Sequence, residues 1–319
     1  MLRFNLSHLL APIFLLFLLL LQTSIPILVQ SRNLKPTYQP SNFLQNFEGS
    51  QKGQTNKGLI EVKQYLKRFG YLNHGDHDDN SNINLTGEFD ENLESALKQY
   101  QQFNNLDVTG KLDANTIKQI LIPRCGVPDI FDQTSSKHNH YKPNNPTIDF
   151  VSHYVFFPQK ERWNSSTRNF TYSIHPVPEK VGIDKVRNAV ASALRNWAAV
   201  TQFSFQEGAE GQKTDLVIGF YSRDHGDGSA FDGPGNVLAH AFPPENGNFH
   251  YDADERWSDN PAKDEYDLET VALHELGHVL GLEHSQDPNS VMVPFIGAGV
   301  IKRTLGKDDA DGMHALYAS

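Results

Sequence analysis

Hydrophobic positions along the chain follow two kinds of period and separate it into two folded parts. Residues 58–122 carry apolar side chains three and four positions apart, the spacing of helices that pack on one face. From about Val151, helical periods alternate with short apolar runs that are typical of strands. Two polar stretches without a period flank the first part: residues 33–56 predict a flexible stretch, and residues 131–149 predict an exposed linker. The pattern therefore predicts a small helical module followed by an α+β domain.

The helical module is predicted to contain three helices. The first covers Leu59 to Phe69. Two related segments, LTGEFDENLESAL (85–97) and VTGKLDANTIKQI (108–120), each run through a Thr-Gly pair and an aspartate into a further helix. Asp90 and Asp113 stand at the N-cap positions, where a carboxylate can accept the free N–H groups of a first turn. A core built from so few residues is thin, so we expect the module to lean on a partner surface.

The α+β domain has the predicted order strand, helix, strands, helix, helix. Its apolar helix runs from about Leu268 to Leu280, with Asp267 as the N-cap and Gly281 as the stop. The other predicted elements are strands at 170–174, 214–220, 236–242 and 248–252, and helices at 183–200 and 307–317. A Gly- and Asp-rich segment, HGDGSAFDGPG, separates two of the strands and predicts a long loop.

The composition excludes some classes of partner and one source of stability. The chain of 319 residues has a formal net charge of −10, which disfavours nucleic acid and an anionic membrane surface as partners. Hydrophobic residues make up 38% of it, as in globular proteins. Because the chain has a single cysteine, an intrachain disulfide is excluded, and stability must come from packing or from metals.

The N-terminal residues predict secretion. An apolar run from Leu9 to Leu21 follows Arg3 and is broken by a polar Gln-Thr-Ser segment, the layout of a secretory signal peptide, which we assign to residues 1–30. The run is shorter than the ~20 residues that a membrane span needs, although a retained anchor stays open as the alternative. Sequons also fit a secretory route, but such tripeptides are common by chance. They begin at Asn84, Asn164 and Asn169.

The apolar helix carries a metal-binding pattern, HELGHVLGLEH. His274 and His278 are four residues apart, so a helix places both imidazoles on one face, where they can hold one metal ion. Glu275 lies at the edge of that site and could take a proton from the attacking water. Gly281 lets the backbone leave the helix, and His284 can return as a third ligand. Three protein nitrogens with one open position form a catalytic zinc arrangement rather than a closed structural one.

Chance is the alternative explanation for the five-residue core of this pattern. The longer form, which adds the glycine, the third histidine and a downstream Ser-Val-Met turn, is the metzincin signature and is far more specific. With five stretches considered together, the chain resembles the matrixins, the matrix metalloproteinase family, and is most similar to the plant type without a haemopexin domain. The stretches are PRCGVPD, HGDGSAFDGPGNVLAHAF, FHYDADERW, HELGHVLGLEH and SVMVP.

The resemblance covers the chain from about Leu59 onwards and implies its fold and domain organisation. The implied fold class is α+β: a metzincin catalytic domain with a twisted mixed sheet and three helices, preceded by a small three-helix propeptide domain that is similar to peptidoglycan-binding modules. The implied domains are a propeptide at 31–149 and a zinc metalloprotease domain at 150–319.

The resemblance also implies a zinc-dependent endopeptidase and assigns its sites. Glu275 would be the general base and then the acid for the leaving amine, and Met292 would form an apolar floor beneath the zinc. The catalytic zinc ligands would be His274, His278 and His284. The structural zinc ligands would be His225, Asp227, His240 and His250. The calcium ligands would be Asp232, Gly233, Gly235, Val237, Asp252 and Glu255. Substrate backbone would pair with the strand at 238–241.

Some of these assignments have alternatives, and the chain departs from the family in two places. The HGDG and DGPG turns could form a loop without metal, since His and Asp commonly occupy turns. The segment AFPPENGNF is shorter than its counterpart, so a second calcium there, with Asp215 as its remaining carboxylate, stays in doubt. Phe295 replaces the usual tyrosine after the Met turn, in a segment that shapes the specificity pocket.

Cys125, the single cysteine, lies between the module and the α+β domain. A thiolate is a strong zinc ligand, and the resemblance implies that Cys125 fills the open zinc position of a latent precursor, within a cysteine switch at 123–129. Arg124 and Asp129 would pair to shape this segment, ahead of a linker at 130–149. The alternative is a buried inert thiol, because free cysteine is among the most buried residues.

The sequence therefore predicts a secreted zinc endopeptidase, made as a zymogen and acting in the extracellular space or cell wall. We expect a monomer without a stable membrane span or nucleic-acid partner, released by an activating protease or by self-cleavage. Its substrates would be proteins with an apolar residue after the scissile bond. The rival prediction is a cell-wall glycan-binding module fused to an inactive or weakly active metal-binding domain, although the intact Glu275 argues against inactivity.

Overall fold

The computed structural model describes residues 44–72, 85–131, 153–164 and 166–317. The helices are α1 (Leu59–Arg68), α2 (Glu91–Phe103), α3 (Ala114–Ile120), α4 (Ile183–Ala199), α5 (Leu268–Val279) and α6 (Lys307–Tyr317). The strands are β1 (Arg124–Cys125), β2 (Asn169–Ile174), β3 (Ser204–Glu207), β4 (Leu216–Tyr221), β5 (Val237–Ala241), β6 (Asn248–Asp252), β7 (Trp257–Ser258) and β8 (Tyr266–Asp267). The α+β fold class is confirmed.

Helices α1 to α3 form the predicted module. The stretch before α1 was expected to be flexible, but its described part packs onto the module, with Leu44 and Phe47 buried in the same cluster. The helix caps follow the sequence. Asp90 accepts a hydrogen bond from Leu93 N at 2.8 Å, and Asp113 accepts one from Thr116 N at 2.9 Å, so both aspartates are the N-caps that their positions predicted. The module does lean on a partner surface. Its buried aromatic and aliphatic side chains form one cluster with Phe231, from the long loop after β4.

The larger domain is built on a six-stranded mixed sheet with the order β1-β5-β6-β4-β2-β3. Only the pairing of β5 with β6 is antiparallel; the other neighbours run parallel. Helix α5 packs against α4 and against β5, and all of α5 is buried except Glu269. The apolar character of α5 on every side therefore reflects a central helix enclosed by its own domain.

The segment that contains Cys125 is an edge strand of this sheet rather than the shaped loop that we expected. Strand β1 runs parallel to β5, with Arg124 N donating to Asn236 O at 2.6 Å and Gly126 N donating to Ala239 O at 2.7 Å. On its other side, Cys125 N donates to Pro294 O at 2.8 Å. Strand β1 thus lies between β5 and the segment at Pro294, both of which belong to the larger domain.

Several predictions fall on residues that the structure does not describe. The signal peptide at 1–30, nearly all of the linker at 130–149 and the sequon at Asn84 lie outside the described ranges. Asn164 and Asn169 are described and exposed. In the described part of the chain, no helix has the length and apolarity that crossing a membrane would require.

Candidate active site and metal centres

Helix α5 brings its two histidines together as their spacing predicts. The Nε2 atoms of His274 and His278 are 3.1 Å apart, and both side chains are fully buried. Each ring is fixed from behind, because its Nδ1 lies 2.7 Å from a backbone carbonyl oxygen, that of Val291 for His274 and that of Leu282 for His278. Since a carbonyl oxygen can only accept, each Nδ1 carries the proton, and each Nε2 keeps a free lone pair aimed at the site.

The third histidine, His284, reaches the same site because α5 ends a few residues before it. Gly281 has a φ of +109°, in the region that glycine tolerates best, and the chain turns there. The His284 ring centroid then lies 5.4 Å from that of His274 and 4.8 Å from that of His278. Its buried Nε2 has no hydrogen-bond partner. A buried polar atom without a partner is costly, so a metal ion at this point would supply the contact that the protein leaves open.

Cys125 completes the group. Its Sγ lies 3.5 Å from His278 Nε2 and accepts from Val127 N at 3.4 Å, in a side chain with no solvent exposure. One ligand atom from each of the four residues, Cys125 and the three histidines, falls within 4.8 Å of the others. Burial lowers the pKa of His274 to about 3 and lowers the pKa of the other two histidines, so all three are neutral, as zinc binding requires. A sulfur and three imidazole nitrogens are a donor set that fits zinc.

Glu275 lies next to these ligands without joining them. Its carboxylate is fully buried, and neither oxygen has a hydrogen-bond partner in the described structure. Burial raises the pKa of Glu275 to about 8. A carboxylate whose pKa is near neutrality is suited both to take a proton and to give it back.

Met292, which was expected to form an apolar floor beneath the zinc, packs against α5 at Gly277. It is 1% exposed, and a β-carbon on Gly277 would lie 2.3 Å from its sulfur, so the methionine contacts α5 at a position where only glycine leaves room. Its carbonyl accepts from Ser285 N at 3.0 Å. The turn is therefore tied directly to the chain that carries the third histidine.

A second cluster forms around the carboxylate of Asp227. Its Oδ2 lies 2.7 Å from His225 Nε2, 2.8 Å from His240 Nε2 and 2.9 Å from His250 Nδ1. The four ligand atoms all lie within 4.8 Å of one another. Burial lowers the pKa of His240 to about 4, so that imidazole is neutral. The structure thus brings together all four residues of the expected structural zinc site, in an N₃O set that zinc accepts.

The acidic loop expected to hold calcium brings three carboxylates together. Gly235 N donates to Glu255 Oε1 at 2.5 Å, Val237 N donates to Asp232 Oδ1 at 3.3 Å, and Asp252 Oδ2 is buried without a partner. Burial and mutual repulsion raise the pKa of Asp252 to about 6 and that of Glu255 to about 8. Crowded carboxylates of this kind, with Asp252 and Glu255 buried, suit a hard cation such as calcium.

The structure shows the contacts of Asp215 and Phe295, the residues at the two departures from the family. Asp215 Oδ2 accepts hydrogen bonds from Thr171 N at 2.7 Å and from Thr171 Oγ1 at 2.8 Å, so this carboxylate is already bonded within the sheet. Phe295 lies beside the switch segment, with its ring centroid 4.9 Å from the Arg124 guanidinium carbon.

The expected pair of Arg124 and Asp129 makes further contacts that the sequence did not predict. Arg124 is fully buried and pairs with Asp129 through two hydrogen bonds, of 2.9 and 2.5 Å. The Phe69 ring lies 3.6 Å from the guanidinium carbon, and Tyr71 Oη donates to Asp129 Oδ2 at 2.6 Å. The expected pairing of Arg124 with Asp129 is present, and the end of α1 holds it from the other side.

Comparisons with known proteins show which family the chain is similar to. The matrixin family model matches residues 162–318, and a peptidoglycan binding domain model matches residues 55–120. Metalloendoproteinase 1 of Glycine max is 42% identical over 273 residues, which cover 83% of this chain and 83% of that protein. Metalloendoproteinase 2-MMP of Arabidopsis thaliana is 39% identical over 287 residues, covering 86% of this chain and 74% of that protein. Matrix metalloproteinase-16 of Homo sapiens is 38% identical over 269 residues, covering 81% of this chain and 41% of that protein.

The chain therefore belongs to the matrixin family of zinc metalloendopeptidases. Its fold class, its protease chemistry and a His-rich site that fits zinc are consistent with that membership.

Proposed function

We propose that this chain is the latent precursor of a secreted matrixin, in which Cys125 closes the catalytic zinc site. The observation that carries the proposal is that Cys125 Sγ lies among the ligand nitrogens of three histidines, while its own strand occupies the edge of β5. A thiolate at the fourth position leaves no place there for water. The precursor is silent on this account because both the reacting centre and the substrate edge are filled.

In the matured enzyme, His274, His278 and His284 would hold the catalytic zinc, which when bound polarises a carbonyl and makes water a better nucleophile. Glu275 would accept a proton from the attacking water on one carboxylate oxygen and return it to the leaving nitrogen. The low-dielectric surroundings of Glu275, which raise its pKa to about 8, support this double role. Met292 would keep the underside of the site dry and rigid.

The hydrogen bonds of β1 support the proposed position of substrates. Release of β1 would free Asn236 O and Ala239 O on one side and Pro294 O on the other, each now bonded to the switch segment. An extended peptide could take its place by strand addition. We propose protein substrates in the extracellular space or cell wall, with an apolar residue after the scissile bond.

Two further metal sites belong to the proposal. The cluster around Asp227 would hold a structural zinc, and the acidic loop from Asp232 to Val237, with Asp252 and Glu255, would hold calcium. Both lie on the long loop after β4 or on the strands beside it, so the ions would stabilise the edge on which substrates bind. This arrangement would also replace the disulfides that a chain with one cysteine cannot form.

Secretion, domain boundaries and oligomeric state complete the proposal. A signal peptide at 1–30, a propeptide at 31–149 and a catalytic domain at 150–319 would give a secreted monomer. Glycosylation is proposed at Asn164 and Asn169, which are exposed, and at Asn84 from its sequon. An activating protease or the enzyme itself would cut within 123–152, after the start of the switch segment.

A cell-wall glycan-binding module is the second candidate, favoured by the match of residues 55–120 to a peptidoglycan binding domain model. The packing of Phe231 into the core of that module supports the propeptide instead, because a retained binding module would not need to bury a loop of the protease. The two candidates differ in the mature protein. A glycan-binding module would persist after processing and bind cell-wall polymer by itself.

One experiment tests the proposed function. The uncut precursor, purified from a secreting host with zinc, is treated with an organomercurial, which captures thiolate, and cleavage of a quenched peptide is followed. We expect silence before treatment, activity after it, and a new N-terminus between residues 123 and 152. If the uncut precursor is as active as the processed form, the proposal that Cys125 closes the zinc site is wrong. A mature protein that keeps residues 55–120 would favour the glycan-binding candidate.

A further inference from the structure

The three histidines of the proposed catalytic site differ in the hydrogen-bond partner of Nδ1, the ring nitrogen on the far side from the proposed metal. The Nδ1 atoms of His274 and His278 donate to backbone carbonyls of the protease domain itself, Val291 O and Leu282 O. The Nδ1 of His284 instead lies 2.7 Å from Oδ1 of Asp129. Asp129 lies within the propeptide proposed above at 31–149, so one of the three proposed ligands would have a partner that only the precursor contains.

The surroundings of Asp129 make this contact a strong one. Its carboxylate has no solvent exposure and pairs with the guanidinium of Arg124 through two hydrogen bonds, of 2.9 and 2.5 Å, the geometry of an ionised carboxylate. An ionised carboxylate can only accept, so the facing Nδ1 of His284 carries the proton. The lone pair of His284 is then on Nε2, the buried atom that has no other partner.

We propose that Asp129 is a positioning residue for His284, which it orients and makes more basic as a zinc ligand while the propeptide is in place. The inference rests on the proposed zinc site. Carboxylates that accept from a ligand histidine raise metal affinity, and their loss typically costs about 10–100-fold. The precursor therefore holds its zinc more tightly than the matured enzyme, through Asp129 as well as through Cys125. Maturation frees His284 at the moment when the site must accept water and substrate.

The competing explanation is that Asp129 only pairs with Arg124 and thereby keeps the thiolate of Cys125 in reach of zinc. The two explanations differ when Cys125 is absent. If Asp129 acts through His284, its removal still weakens zinc binding in a chain that has no thiol. If it acts only through the switch, its removal then has no further effect, and a double-mutant cycle separates the two.

The experiment uses the full-length precursor with Glu275→Gln, so that no variant cuts itself, and with histidines labelled with nitrogen-15. The imidazole resonances of His274, His278 and His284 are followed during titration with a zinc chelator, so that they report this site alone. In the Asp129→Ala precursor we expect the Nδ1–H resonance of His284 to lose its hydrogen-bonded shift, while those of the other two stay in place. We expect zinc affinity to fall about 10–100-fold.

Companion variants keep the test decisive. Tyr71→Phe removes another donor to Asp129 but leaves the contact with His284, so zinc affinity should not change. Asp129→Asn keeps an acceptor oxygen without the charge and should give an intermediate affinity, in a side chain of nearly the same shape. In the Cys125→Ala precursor, adding Asp129→Ala should still lower zinc affinity by the same factor.

An unchanged His284 resonance in Asp129→Ala, or a loss of affinity that vanishes in the Cys125→Ala background, would overturn the inference. Cobalt-loaded wild-type precursor tests the proposed lock separately. The chain has one cysteine, so a sulfur-to-cobalt charge-transfer band can come only from Cys125. Absence of that band contradicts the lock without bearing on Asp129, whereas a band together with an unmoved His284 resonance contradicts the role of Asp129 alone.

Discussion

The guanidinium of Arg124 lies 3.6 Å from the centre of the Phe69 ring, which joins the switch segment to the end of α1. Phe69 O also accepts hydrogen bonds from Asp129 N at 3.1 Å and from Ile130 N at 3.3 Å. The proposed lock would thus be held in place by the helical module as well as by the thiol. Its strength should depend on residues far from any metal ligand in sequence.

Replacement of Arg124 by leucine should strongly lower the free energy of unfolding of the precursor. Arg124 and Asp129 are both fully buried at their side chains, so the change leaves a buried carboxylate without its charge partner, and breaking such a pair typically costs about 3–5 kcal/mol. The free energy of unfolding is measured by chemical denaturation of the uncut Glu275→Gln precursor. Peptide cleavage before any activation is measured in the precursor that keeps Glu275. Arg187→Leu, which breaks a largely exposed pair with Glu207, is the control and should change little. Equal effects of the two variants would contradict the account.

Replacement of Glu275 by glutamine should keep zinc and remove turnover. After the linker of the precursor is cut by an added protease, the variant should bind zinc as wild type does. Its kcat should be lower by at least the ~10²–10⁴ that a general acid–base group supplies. Glu269→Gln, in the first turn of the same helix, is the matched control and should retain activity. Near-normal kcat in a folded, zinc-loaded Glu275→Gln enzyme would rule out the proposed mechanism.

Calcium should stabilise the protein, and more so as pH rises. Burial and repulsion raise the pKa of Glu255 to about 8 and that of Asp252 to about 6. Without the ion, their contribution to stability is complete below about pH 4, the ordinary range of these carboxyls, and is lost as pH rises through about 6 and 8. Calcium binds the ionised carboxylates and should restore that loss by mass action.

The measurement is Tm against pH, with and without millimolar calcium, in protein that keeps its zinc. The gap between the two curves should be small near pH 5 and widen towards pH 8. Asp264→Asn serves as a control, because Asp264 pairs with Arg256 at the exposed surface rather than with the acidic loop. A Tm that calcium leaves unmoved at pH 8 would argue against this site.

Removal of Asp227 should cost the protein one zinc ion. Asp227 Oδ2 is within 2.9 Å of a ring nitrogen of each of three histidines, so its loss removes the charge around which they gather. Metal analysis should give two zinc ions per wild-type chain, one for each of the two clusters, and a single ion in Asp227→Ala. Asp224→Ala, in the same loop, should keep both. Two ions in Asp227→Ala would show that the carboxylate is not a ligand.

Local signals predicted much of the fold. The caps at Asp90 and Asp113 and the helix that Gly281 ends were predictable because each depends on the chemistry of a few adjacent residues. Strands β1, β3, β7 and β8 were not predicted. Strands β1, β7 and β8 have two residues each and β3 has four, which is too few to show a clear period. They exist because the tertiary structure offers an edge to pair with.

The contacts of the candidate site also divide into those that a local pattern predicts and those that join distant segments. The HELGH pattern predicted the approach of His274 to His278, because the period of a helix sets that distance. The contact of His284 with Asp129 joins residues 155 positions apart, and the stacking of Phe69 on Arg124 joins two further segments. No local pattern encodes either contact. Phe69 looked like an ordinary core position on the apolar face of α1, which is what hid its second contact.

The central claim is that Cys125 is the lock, and replacing it by serine tests this most directly. Wild-type and Cys125→Ser precursors are purified from the same host with zinc present, and both are assayed on a quenched peptide with an apolar residue after the scissile bond. A hydroxyl is a poor zinc ligand compared with a thiolate, so the serine precursor should cleave the peptide, or process itself, without any activator. Wild-type precursor should stay silent. If the serine precursor remains intact and equally silent while its matured form cleaves normally, Cys125 is a buried inert thiol and the account is wrong.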